Sequence, residues 1–257
     1  MDLRLQGKTA LITGSTAGIG LAIASTLQEE GAAVIINGRT RQRIDQSLAK
    51  LGNGATGIVA DLTTKEGREV LYQQVRHVDI LVNNLGIFES KALTDVAEED
   101  WSKFFDVNVV SGAVLSKHYF AAMRNKNWGR VIFIASEAGI NVPADMIPYG
   151  VSKAAQTALA RGLAETTAGT GITVNTVLPG PTRSEGVDRF LASLDFGNSG
   201  DEGERQFLRK LRPTSLLGRF AEAKEVATLV AYLASPLASA TNGAALRVEG
   251  GLLRNVF

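Results

Sequence analysis

Short runs of β-branched and aliphatic residues alternate with longer segments of helical period along nearly the whole chain. This alternation limits the fold more than any other feature. The runs fall at residues 9–13, 33–37, 56–60, 79–83, 130–135, 173–178 and 245–248. Each is nearly all apolar, the pattern of strands covered on both faces in a parallel sheet. Helical segments lie between them, at 19–29, 41–51, 65–75, 101–123, 149–168 and 223–233. In the first, Ile19, Ala22, Ile23, Thr26 and Leu27 share one face. Right-handed crossovers then predict an α/β fold, a doubly wound seven-stranded parallel sheet with helices on both faces. At 257 residues, a single domain over 1–257 is an ordinary size with a large core. One long irregular stretch, 179–213, holds helical fragments at 186–194 and 202–211 around Asp195-Phe196-Gly197-Asn198-Ser199-Gly200. A long insertion late in a compact domain reads as a substrate lid.

Composition excludes several classes. With 27 Lys+Arg against 26 Asp+Glu, the chain lacks the basic footprint of a nucleic-acid binder. Without cysteine it has no disulfide, no thiolate nucleophile and no Cys-ligated metal, and it suits a reducing compartment. His77 and His118 lack a second histidine at ligand spacing, so no metal site is expected. Trp101, Phe104, Phe105 and Trp128 read as packing and not as a base-stacking platform. No run approaches the roughly 18 apolar residues of a membrane span. Residues 1–8 alternate charge with leucine and do not resemble a signal peptide. The expectation is a cytoplasmic protein with no membrane partner.

Glycine, at 27 residues, is above its usual share of about 7%. Thr13-Gly14-Ser15-Thr16-Ala17-Gly18-Ile19-Gly20 follows a strand and opens a helix. Such a turn lets backbone approach a pyrophosphate, with the helix N-terminus supplying N–H donors. A tight turn needing small residues is the plainer explanation. At the end of the second strand an acidic residue would bind the ribose 2′-hydroxyl of NAD. Here Gly38 occupies that position and Arg39 follows. A guanidinium can hold a 2′-phosphate through two parallel hydrogen bonds, and this reading is preferred to Arg39 and Arg41 being simply solvated at a helix start. Asp61-Leu62 could close over an adenine; a helix cap accounts for Asp61 as well.

Ser136 stands at a strand's C-terminal end, where α/β sheets hold ligands. Tyr149 and Lys153 are i and i+4 on one helical face. A lysine ammonium one turn away would favour the phenolate of a phenol whose ordinary pKa is about 10. Asn108 lies inside a long helical pattern, where an Asn wants a polar partner. Each of the four, taken alone, has a dull explanation: a core Tyr, a surface Lys, a loop Ser, a capping Asn.

Their order resembles the short-chain dehydrogenase/reductase family in its single-domain, Rossmann-type form. The resemblance runs from Gly7 to Gly251 through the Gly turn, Asn83-Asn84-Leu85-Gly86, Asn108, Ser136, Tyr149-Gly150-Val151-Ser152-Lys153, Asn175, Pro179-Gly180 and Glu249-Gly250-Gly251. It implies Tyr149 as acid/base and Ser136 as the donor that orients the substrate oxygen. It implies Lys153 on the nicotinamide ribose, lowering the Tyr149 pKa, and Asn108 holding a water in a proton relay. Gly14, Ser15, Thr16, Gly18, Ile19, Gly20, Asn84, Gly86, Pro179, Gly180 and Thr182 join Arg39, Asp61 and Leu62 in the expected cofactor site, with Thr182 at the carboxamide. Leu85, Val151 and Glu249 stand where the family commonly has Ala, Ala and Asp. Thr170 stands where reductases of carrier-protein thioesters often have a basic residue.

The reading is an NADP(H)-dependent oxidoreductase interconverting a small-molecule ketone or aldehyde and an alcohol. NAD as cofactor, a 3-oxoacyl thioester substrate and a non-catalytic cofactor-binding regulator are the alternatives. Expected walls of the substrate pocket are Glu137, Ile140, Asn141, Val142 and Met146, with Phe190, Leu194, Phe196 and Phe207 from the insertion. Apolar residues on more than one face of 101–123 and 149–168, with the family resemblance, imply a homotetramer.

Overall fold

A computed structural model describes residues 1–193 and 201–256. Among these, seven strands form one parallel sheet in the order β3-β2-β1-β4-β5-β6-β7. They are β1 (Thr9–Ile12), β2 (Ala33–Gly38), β3 (Ala55–Val59), β4 (Ile80–Asn83), β5 (Gly129–Ile134), β6 (Ile172–Pro179) and β7 (Ala245–Val248). The helices between them are α1 (Gly18–Glu29), α2 (Arg41–Leu51), α3 (Lys65–Gln74), α4 (Glu98–Phe105), α5 (Ser111–Lys126), α6 (Ile147–Glu165), α7 (Glu185–Ser193), α8 (Asp201–Leu211) and α9 (Ala223–Ala234). The doubly wound sheet expected from the alternation is therefore present.

Successive strand residues point to opposite faces, and the core divides accordingly. Ile12, Ile36, Ile80 and Ile132 face α1 and α9, packing with Ile23, Leu27, Val226 and Val230. Leu11, Leu81, Val131 and Phe133 face the other layer, with Leu71, Leu115, Tyr119 and Ala160. Every residue of β5 and β6 is buried, so those strands carry no polar/apolar alternation. Fully burying one such Leu or Ile contributes about 1.5–3 kcal/mol. Strand order reverses between β2 and β4 on either side of β1. That switch point opens a crevice beyond the strands' C-terminal ends.

The expected single helix over 101–123 is two helices joined by a π turn, Asp106–Val110. The cause is Asn108. Its carboxamide accepts from Ile87 N at 2.8 Å and donates to Ile87 O at 3.1 Å and Ser152 Oγ at 2.8 Å. The wider turn accommodates this polar anchor inside an otherwise apolar helix pair, and such bulges recur at functional sites. The hydrophobic period does not register a one-residue slip.

The insertion forms α7 and α8, close to the expected fragments. Its inner face is a small cluster of Leu191, Phe207, Leu208 and Phe220. Arg183 ties α8 down, binding Glu204 at 2.7 and 3.0 Å, Glu222 at 2.6 Å and Asp201 at 3.1 Å. Leu194, Phe196 and the connection 197–200 lie outside the described residues.

Candidate active site

A cleft of about 450 Å³ opens at the switch point. The Gly turn, the ends of β4, β5 and β6, the start of α6 and the inner faces of α7 and α8 line it. It brings together Gly14, Gly18, Ile19, Gly20, Arg39, Asn84, Gly86, Ser136, Tyr149, Lys153, Pro179, Gly180 and Thr182.

The Gly turn is held from below by side chains whose own hydrogen bonds it completes. Asn37 Oδ1 accepts from Gly14 N at 3.2 Å, while its Nδ2 donates to Ala60 O at 3.0 Å. Asn84 Nδ2 donates to Thr13 O and Gly14 O at 2.9 and 3.0 Å. A β-carbon on Gly20 would fall 2.5 Å from that Nδ2 and 2.9 Å from Gly14 O. Only glycine fits there. Ser15 is wholly buried, donating to Ile12 O and accepting from Asn37 N; its side chain supports the turn and does not face the cleft.

A β-carbon on Gly38 would lie 2.5 Å from Thr16 Cγ2, so Thr16 fills the place an acidic side chain would need. Arg39 is exposed at the cleft mouth, and Arg43, one turn further on, lines it too. Sequence reasoning missed Arg43; its i+4 spacing from Arg39 was the available signal. Arg41 instead faces Asp45 at 3.8 Å. Asp61 accepts from Thr63 N at 3.0 Å and Thr63 Oγ1 at 2.6 Å. These bonds, with the Arg39 charge, hold its carboxyl below its usual range. Leu62 is a core residue. Neither Asp61 nor Leu62 is among the cleft walls.

At the inner end, Lys153 is buried and donates to Ile134 O at 2.8 Å and Gln156 Oε1 at 3.1 Å. Burial pushes its pKa down to about 7. Its Nζ lies 5.8 Å from the Tyr149 ring centre. Phe88 and Phe104 meet that ring edge-on at 6.3 and 6.4 Å. Burial pushes Tyr149 up to about 12, against the opposing effect of the nearby Ser136 hydroxyl. Ser136 also caps a short 3₁₀ turn, Glu137–Gly139, accepting from Ala138 N at 3.1 Å. Asn108 sits just behind the cleft: a β-carbon on Gly86 would be 3.3 Å from Lys153 Nζ and 3.4 Å from Asn108 Oδ1. Thr182 is buried, its hydroxyl donating to Gly180 O at 2.9 Å.

Beyond Tyr149 the walls are Ile87, Phe88, Met146, Phe190 and Phe207, with Glu137 and Arg212 set among them. Glu137 Oε1 accepts from Arg212 Nε at 2.9 Å, and both residues are buried. Arg212 and Arg189 were not anticipated. Ile140, Asn141 and Val142 are not walls; all three are exposed. Among the described residues no cluster of His, Asp and Glu could hold a metal ion.

Residues 8–193 match the family described as short chain dehydrogenase. The chain belongs to the short-chain dehydrogenase/reductase family. It is 50% identical to the uncharacterized oxidoreductase YvaG of Bacillus subtilis, with 100% of each chain covered. It is 36% identical to the 3-oxoacyl-(acyl-carrier-protein) reductase FabG of Haemophilus influenzae, covering 96% of this chain and 99% of that one. A crystal structure of L-sorbose reductase from Gluconobacter frateurii, complexed with NADPH and L-sorbose, superposes with a TM-score of 0.91 at 29% identity over 100% of both chains. The protein is a short-chain dehydrogenase/reductase enzyme, an oxidoreductase working between CH–OH and C=O.

Proposed function

We propose that the chain is an NADP(H)-dependent reductase of small-molecule ketones or aldehydes. The observation that carries this reading is the convergence of Ser136, Tyr149 and Lys153 at one end of a cleft whose other end holds the Gly turn and Arg39. The cradle fits a dinucleotide: its glycine turn admits no β-carbon at Gly20, and at Gly38, where NAD binding would call for a carboxylate, a β-carbon would press on Thr16 Cγ2. In the proposed assignment, the turn from Gly14 to Gly20 faces the pyrophosphate and Arg39, supported by Arg43, takes the 2′-phosphate. Asp61 and Leu62 contribute backbone near the adenine. Asn84, Gly86, Tyr149 and Lys153 hold the ribose side, and Pro179, Gly180 and Thr182 hold the carboxamide.

The nicotinamide supplies hydride chemistry when bound. Tyr149, held near 12, keeps its proton at neutral pH and can donate it to a carbonyl oxygen. Ser136 orients that oxygen by a hydrogen bond. Lys153, at about 7 when buried alone, regains its charge as an anionic partner forms nearby, which stabilises the phenolate left after transfer. Asn108, its carboxamide occupied by Ile87 and Ser152, acts through the π turn it stabilises, which positions backbone for a relay water.

A panel of carbonyls and alcohols run with NADPH and NADH side by side tests the reading. Tight NADPH binding with no turnover of any carbonyl would favour the cofactor-binding regulator instead. FabG relatives support a second reading, a 3-oxoacyl thioester reductase; Thr170 in place of a basic residue counts against it. An acetoacetyl thioester in the panel separates the two.

The lid role of 179–213 extends the proposal. Glu185 at the start of α7 reaches Arg43 across the mouth at 3.9 Å, a contact between two exposed groups and therefore weak. Hydrogen exchange in α7 is expected to be faster than in β5 in the free protein, slowing when cofactor and substrate are added. Protection equal to β5 in the free protein would remove the lid.

The proposed assembly is a homotetramer. On α6, Val151, Ala158 and Gly162 remain exposed, and the space over Gly162 is open; Val110, before α5, is exposed as well. These small and apolar residues suit close helix approach across a two-fold axis. Sedimentation velocity at micromolar protein is expected to give one boundary well above 27.2 kDa; a monomer boundary would contradict it. The proposed compartment is the cytoplasm, which suits a chain without cysteine. No helix among the described residues is long and apolar enough to cross a membrane. Cell fractionation checks the location.

A further inference from the structure

The substrate end of the cleft contains an ion pair that the hydride-transfer scheme does not use. Glu137 follows Ser136 directly, and Arg212 follows α8, so the pair joins the β5 exit to the lid. Both residues are at least nine-tenths buried, at 4% and 9% exposure. Their surroundings are aromatic: the Arg212 guanidinium lies 5.6 Å from the Phe207 ring centre, and Phe190 and Tyr149 share the same chamber. Stability does not account for a pair in such a place. Two buried charges lose so much hydration that apolar residues of similar size often serve folding as well or better.

The hydrogen-bond geometry leaves two valences open. Arg212 uses Nε on Glu137 Oε1 at 2.9 Å and Nη1 on Leu211 O at 2.9 Å. Among the described residues no hydrogen bond reaches Arg212 Nη2 or Glu137 Oε2. Both residues line the chamber, so one donor and one acceptor remain for a ligand held there. Tyr149 lines the same chamber as Glu137 and Arg212, so the pair stands at the end of the cleft where the proposed reading puts the substrate.

We propose that Glu137 and Arg212 form a clamp for a hydroxyl group adjacent to the substrate carbonyl, so that the enzyme selects neutral hydroxy-ketones over plain ketones and over oxo-acids. This rests on the carbonyl-reductase reading above and deepens it. A hydroxyl can donate to Glu137 Oε2 while accepting from Arg212 Nη2. A methylene there can do neither and would strip the pair of its remaining water. A carboxylate would meet a guanidinium already neutralised by Glu137, with Glu249 close enough to act on Glu137 as a second negative charge. The aromatic walls cover the carbon skeleton; the clamp reads its oxygen.

The test uses three probes of one chain length with NADPH: 1-hydroxy-2-pentanone, 2-pentanone and 2-oxopentanoate. The unaltered enzyme is expected to favour the hydroxy-ketone over 2-pentanone by about tenfold or more in kcat/KM, the range of one hydrogen bond to a charged group. The double variant Glu137→Met/Arg212→Met is expected to bring that ratio within threefold. Glu137→Gln, which leaves the guanidinium uncompensated, is expected to raise 2-oxopentanoate relative to the hydroxy-ketone. A purely structural strap would move none of these ratios. Equal use of hydroxy-ketone and 2-pentanone by the unaltered enzyme overturns the clamp and leaves the reductase reading standing. A preference that survives in the double variant also overturns it. Should the variants not fold, the ratio in the unaltered enzyme still decides. No turnover of any probe, with other carbonyls also inert, overturns the reductase reading itself.

Discussion

Tyr149→Phe is expected to lower turnover by about 10²- to 10⁴-fold, the range for a general acid/base group, while cofactor affinity stays within a few-fold. The substitution removes one proton and one oxygen and keeps the ring. The ring is what Phe88 and Phe104 contact, edge-on at 6.3 and 6.4 Å, so packing around α6 survives. The oxygen is the group on which the Ser136 hydroxyl acts, lowering its pKa against the rise caused by burial. Steady-state kinetics with any accepted carbonyl, together with a nucleotide titration, separate the two effects. A variant within threefold of the parent rate would remove Tyr149 from the acid/base role. Lys153→Ala should behave differently, weakening nucleotide binding along with the rate, because the same ammonium is proposed to touch the ribose.

Arg39→Ala is expected to weaken NADPH by about ten- to a hundredfold, as the loss of a charge-assisted contact worth about 1.5–3 kcal/mol requires, and to leave NADH within threefold. Arg39 is exposed at the start of α2, so its removal leaves no buried cavity and little effect on folding. Arg43 also lines the cleft and can take over part of the phosphate contact; the double substitution should therefore exceed the single one. Titrating both nucleotides against each protein decides the matter. Equal weakening of the two, or a parent that prefers NADH, would remove the 2′-phosphate assignment. High salt should erode the NADPH advantage, since an exposed charge pair is screened.

The seven strands were legible because a parallel sheet buried on both faces is written in continuous apolar runs, and short β-branched runs such as Val131-Ile132-Phe133-Ile134 fit it. The Gly turn, Ser136, Tyr149 and Lys153 were legible for a related reason: each is tied to one element by its position in the chain, and i, i+4 spacing alone puts Tyr149 and Lys153 on one face. Gly38 also spoke at the level of sequence, and the contact with Thr16 supplies its steric meaning.

Other features depend on residues distant in the chain. Asn108 breaks its helix into a π turn because Ile87 and Ser152 offer partners 21 and 44 positions away; no local pattern contains that information. Ser15 proved to be buried support and Leu62 core, since a side chain's direction out of a turn depends on what packs behind it. The ionisation of Tyr149 and Lys153 depends on packing in the same way, because burial raises the phenol and lowers the ammonium. Glu137 and Arg212, 75 positions apart, meet only when the end of α8 comes to the turn after β5. The sequence by itself thus determined the sheet, its helices and the residues proposed to react, because those follow from periodicity and short spacings. Tertiary structure alone decided which side chains face the cleft, how their charges are solvated and what surrounds the substrate, because each of these depends on long-range packing that brings distant residues into the same low-dielectric space.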